Sequence, residues 1–121
     1  MWSCGRAEAP MPPVFRVSSP LGLTVYLDAT GWEHIQRRHP EMDDPAPLQA
    51  TVEDPDVVYP GSTKKARLLH LRLGIDERHP RLYVTVVTGE AGGASRIVTA
   101  HLQPDLAGAG GALLYARPTR R

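Results

Sequence analysis

Trp32-Glu33-His34-Ile35-Gln36-Arg37-Arg38-His39-Pro40-Glu41-Met42 sets two imidazoles and two guanidiniums around one short helix that a proline closes. Thr30, with Glu33 three residues later, forms an S/T-x-x-E capping box, so the spacing predicts a helix beginning at Gly31. Pro40 drives His39 out of the α region and ends the helix there. Trp32, Ile35 and His39 stand at i, i+3 and i+7 and form the face to be buried. His34 and Arg38 are one helical turn apart on another face, flanked by Arg37. The two histidines diverge by roughly 140° in a regular helix. They therefore lack the i, i+4 spacing of a zinc-protease helix, which also needs Glu directly after the first His. No metal site and no cofactor is expected. Imidazoles that titrate near neutrality, next to fixed positive charge, are what metal-free phosphodiester cleavage requires. A capping histidine and a solvated His–Arg face are the ordinary alternative.

Outward from this helix the pattern changes to strands. Leu21 to Leu27 alternates with period two and reads as a strand before the helix. Pro45 and Pro47 introduce a second short helix near Leu48 to Glu53, and Val57 to Tyr59 reads as a short strand. Ala66 to Leu73, Leu82 to Thr88 and Arg96 to Leu102 follow as strands of an antiparallel meander. A Gly-rich linker, Ala107 to Gly111, leads to a last strand over Ala112 to Ala116 and a basic tail. The expected fold class is α+β, with one or two N-terminal helices packed on one face of a four- to five-stranded antiparallel sheet. Parity puts Leu69, Leu71 and Leu73 on the core side, and His70 and Arg72 opposite. With Val98, Ala100 and Leu102 also packed on the helices, Thr99 and His101 join His70 and Arg72 on one open face, a surface suited to RNA phosphate.

Length and composition agree with one small domain: 121 residues and a net charge of +1. Residues 1–20, with Pro10, Pro12, Pro13 and Pro20, read as a flexible leader and not a secretory signal. No apolar run approaches a membrane span. The one cysteine, Cys4, permits no intramolecular disulfide, which is compatible with the cytoplasm. Residues 1–56 carry −5 and residues 57–121 carry +6, with an acidic lobe between Glu41 and Asp56. A basic half suits a nucleic-acid partner, and the acidic lobe a basic one.

These motifs resemble the phage-type Barnase–EndoU–Colicin–RelE-like (BECR) nuclease group. The matching positions are Trp32, His34, Ile35, Arg38 to Met42, Thr51, Pro55, Asp56, Val58 and Ile97 to Ala100. The resemblance covers residues 21–103, between the leader and a segment 104–121. It implies a metal-independent endoribonuclease, toxin- or phage-effector-like, with RNA as substrate and an immunity or antitoxin protein as partner. It nominates His34, Arg38, His39 and Thr99 as site residues. Strand parity adds His101, and Lys65, His70 and Arg72 are expected to bind RNA phosphate. Two other readings stand beside it. One is a non-catalytic RNA- or protein-binding module of the same fold. The other is a metal-dependent hydrolase using His34, His39, Glu33 and Asp28.

Overall fold

Alternating and β-branched stretches fold as strands wherever a neighbouring strand can take up their backbone groups, and among the described residues they do so seven times. The structure, a computed structural model, describes residues 13–62 and 66–118. Its elements are β1 (Phe15–Ser18), β2 (Thr24–Leu27), α1 (Ala29–Arg38), α2 (Ala46–Glu53), β3 (Val57–Pro60), β4 (Arg67–Leu73), β5 (Tyr83–Ala91), β6 (Ala94–Gln103) and β7 (Tyr115–Ala116). α1 starts earlier than the capping box suggests, because Asp28 caps it. The Gly31 N–H donates to Asp28 Oδ1 at 2.6 Å, and a carboxylate there also meets the positive end of the helix dipole. At the other end His39 is the C-cap, with φ −138°, as the following proline requires.

The seven strands form one sheet in the order β1-β2-β6-β5-β4-β3-β7. All neighbours run antiparallel except β2 and β6, which are parallel at Val25–Ser95 and Tyr26–Arg96. This corrects the expectation of a four- to five-stranded antiparallel sheet under one or two helices. The two outermost strands account for most of the difference. β1 lies in what reads as a flexible leader, where Phe15 is buried and Arg16 exposed, and it pairs with β2 through Phe15↔Leu27. β7 pairs with β3 at the far edge, shorter than the strand expected over Ala112 to Ala116. The sheet is also curled. α2 contacts β1 as well as β4 and β5, yet three strands separate β1 from β4. In a flat sheet they would lie about 19 Å apart, too far for a helix roughly 10 Å across to touch both. The sheet therefore wraps α2 as a half-barrel, burying Leu48 and Val52 against Phe15, Val84 and Val86.

Cross-strand partners share a sheet face, and the register shows where parity misleads. Val86 pairs with His70 and Val84 with Arg72, so His70 and Arg72 lie on the face that α2 covers. Leu69 and Leu71, expected under the helices, face the other way with Val87 and Thr85. A bulge completes the inversion. Val87 pairs with Thr99 and Thr88 with Ile97, leaving Val98 as the extra residue. The bulge re-phases β6, so Ile97 and Ala100 enter the core while Thr99 and His101 point away from it.

The second face is covered in part by the segment expected to be a linker. The Ser62 N–H donates to the Gly108 carbonyl, the Gly110 N–H donates to the Pro60 carbonyl, and Gly61 bridges to Ala109. A Cβ on Gly110 would overlap the backbone of Ser62, so this approach demands glycine. Gly110→Val should destabilise by about 1–3 kcal/mol, as overpacking does, and lower the thermal unfolding midpoint. An unchanged midpoint would mean that 104–111 does not pack on the sheet.

Candidate functional site

α1 lies along the stretch of β6 that β2 leaves unpaired. β2 reaches only Ser95 and Arg96, and beyond them a Cβ on Gly31 would stand 3.4 Å from the Ile97 carbonyl. From Gly31 to His39 the helix rises about 12 Å, and from Ile97 to His101 the strand advances about 13 Å. Running side by side, the two elements bring His39 to His101. The ring centroids are 5.5 Å apart and the planes are tilted by 38°. Asp28 fixes the starting point of both, capping α1 and accepting from Arg96 Nε at 3.0 Å. That guanidinium holds the Asp28 carboxyl below its ordinary range.

His39 is the electrostatic centre of the cluster. Partial burial lowers its pKa first, then the charge of His101; Glu41 opposes them, and Arg38 and His34 lower it further. Glu41 Oε2 stands 3.7 Å from His39 Nδ1. The net direction is down, so His39 is neutral at pH 7 and free to accept a proton.

His101 is held from the strand side. Its Nε2 lies 2.7 Å from Gln103 Oε1. The Gln103 amide NH₂ donates to the carbonyls of Asp105 at 2.6 Å and Ala107 at 2.9 Å. Beside His101, a cavity of about 480 Å³ opens between the sheet and the 104–111 segment. Leu69, Val87 and Val98 line it with apolar surface, and Thr99, Arg67 and Ser62 supply polar groups. The bulge brings Val98 to this cavity alongside Thr99. Gly89 makes room for Arg67, whose guanidinium occupies the space a Cβ would take.

The site residues expected from sequence separate into two groups. His101 and Thr99 line this cavity and His39 stands against His101, with Arg38 and His34 near enough for their charge to act on His39. His70 and Arg72 do not belong. His70 is fully buried, its Nε2 is 3.1 Å from Thr88 Oγ1, and its Nδ1 has no partner among the described residues. Burial pushes its pKa down to about 4. Arg72 reaches back to Asp54, donating to its carbonyl at 3.2 Å. Lys65 lies outside the described residues. The ligand set of the metal reading does not converge either. Asp28 is taken by Arg96 and Glu33 by Arg37, and no group of three or more His, Cys, Asp or Glu among the described residues could hold a metal ion.

Gln103, Glu41 and Arg67 are site residues that the sequence reading missed. Gln103 stands two residues beyond His101, where period two would have placed it on the same face. Arg67 has the same parity as Leu69, and its place became visible only once the register was known. The charge asymmetry is largely spent inside the fold. Arg78 pairs with Asp43 and Asp76, and Arg117 with Asp54 and Asp56. Arg38 has no carboxylate partner among the described residues. No helix of the described residues is long and apolar enough to cross a membrane. No protein-family model matches this chain, and neither do the curated proteins or the solved structures compared with it.

Two outcomes follow from these environments. In NMR titrations His101→Ala should raise the His39 pKa, because a like charge is removed, and Glu41→Gln should lower it. Shifts in the opposite directions would mean the groups are not neighbours. For His70, the folded state disfavours the imidazolium that the unfolded chain accepts at its ordinary 6.5. The neutral ring is therefore fully tolerated above pH 6.5, and stability falls as pH drops from 6.5 toward 4, by about 3 kcal/mol in all. His70→Met should flatten that slope in denaturant titrations. A slope unchanged by the substitution would contradict the burial of His70.

Proposed function

We propose that this protein is a metal-independent endoribonuclease in which His39 and His101 transfer the protons. The observation that carries it is the placement of the two imidazoles 5.5 Å apart, with His101 itself lining a cavity that Thr99 and Arg67 share. Neutral His39 accepts the proton of a ribose 2′-hydroxyl as its oxygen attacks the adjacent phosphorus. The new O2′–P bond forms, the P–O5′ bond breaks, and His101 donates a proton to the departing 5′-oxygen. The products are a 2′,3′-cyclic phosphate and a 5′-hydroxyl. Arg38 and Arg67 offset the charge that builds on the phosphoryl oxygens. The cavity has the volume and the apolar floor to take the neighbouring nucleoside. The resemblance of the α1 motif to BECR nucleases supports the same chemistry. With it come a role as a toxin or phage effector in the cytoplasm and an immunity or antitoxin protein as partner.

Purified protein incubated with total RNA and chelator should release fragments ending in 2′,3′-cyclic phosphate. His39→Ala and His101→Ala should each lower the rate by about 10²–10⁴-fold, the range of general acid–base catalysis. His70→Met should leave it unchanged. Absence of fragments at micromolar protein, or equal cleavage by the double alanine variant, would overturn the proposal. Salt-sensitive RNA binding without cleavage would assign the same surface to a binding module.

A further inference from the structure

The hydrogen bonds of Gln103 determine which nitrogen of His101 works. A glutamine amide has one end that only donates and one that only accepts. Its orientation is set here by two backbone carbonyls, Asp105 at 2.6 Å and Ala107 at 2.9 Å, which can only accept. The NH₂ group must face them, because the flipped amide would press its oxygen against both. Gln103 Oε1 is thereby turned to His101 Nε2 at 2.7 Å, and that short contact requires Nε2 to carry the hydrogen. Nδ1 is left as the nitrogen that gains and loses a proton, with no hydrogen-bond partner among the described residues.

The surroundings make this arrangement hard to reverse. Gln103 is 8% exposed, so water is not at hand to replace a lost partner. The 104–108 loop is itself tied, with the Ala107 N–H donating to Asp105 Oδ1 at 3.0 Å, a closure typical of Asp in tight turns. We infer that Gln103 is a positioning residue that locks His101 in the Nε2–H form and reserves Nδ1 for proton exchange with substrate. This rests on the ribonuclease reading for its consequence, though not for the lock itself. The amide oxygen can accept from Nε2–H whether or not Nδ1 is protonated, so the ring alternates between its two states without losing its support.

The lock is read directly by ¹⁵N NMR of the histidine rings in the unmodified protein. In the neutral His101 ring, Nε2 should be protonated and Nδ1 bare. A ring protonated on Nδ1, or an even mixture, would overturn the inference. In Gln103→Leu the two tautomers should mix, and kcat should fall by about 10–100-fold with KM changed less than twofold, by analogy with the partners that orient metal-bound imidazoles. Gln103→Glu keeps an acceptor and should keep the tautomer. A tautomer unaffected by Gln103→Leu would also refute it. Nε2–H in the wild type with no RNA cleaved would leave the lock in place and dismiss the ribonuclease reading.

Discussion

Asp28 is the joint on which the site depends. Its carboxylate accepts from the Gly31 backbone at 2.6 Å and from the Arg96 guanidinium at 3.0 Å, so one side chain starts α1 and ties that start to β6. An N-cap of this kind is worth about 1 kcal/mol, and a half-exposed ion pair adds little. The contribution is geometric. With the beginning of the helix fixed against the beginning of the strand, rises of similar length carry both elements to His39 and His101 together.

The curled sheet divides the remaining chemistry. One face wraps α2 and is closed with apolar side chains, and His70 survives there only as a neutral ring. The other face is covered incompletely by the 104–111 segment, and the gap it leaves is the cavity beside His101. The bulge at Val98 connects the two arrangements. Without the extra residue, Ile97 would share a face with Thr99 and His101, and either the core would lose an isoleucine or the cavity would lose its polar wall. Charge pairing performs a similar separation. Arg72, Arg78, Arg96 and Arg117 pair with carboxylates of the same chain, which leaves, among the described residues, Arg38 on α1 and Arg67 on β4 as the cations beside the site.

Much of the local structure was legible in the sequence. Pro40 ended α1 where expected, and the three strands of the meander lie near their predicted positions, because period-two alternation and turn residues are local signals. The sheet as a whole was not legible. Phe15 and Val17 belong to a strand that flanking prolines disguised as leader, and the parallel pairing of β2 with β6 is a contact between distant parts of the chain with no local signature. The faces of β4 were misjudged because Leu68, Leu69, Leu71 and Leu73 offer apolar side chains to both sides. Only the register with Val84 and Val86 decides between them. His39, His101 and Thr99 were readable from motif and parity, whereas Gln103 acquires a role only through the carbonyls of Asp105 and Ala107.

The central claim is that α1 and β6 deliver His39 and His101 to one place. It is tested most directly by proton–proton Overhauser effects between the two imidazole rings. Cross-peaks joining the ring protons of His39 to those of His101 are the predicted result. Rings that are both assigned and visible, yet show no cross-peak to each other, would contradict the account.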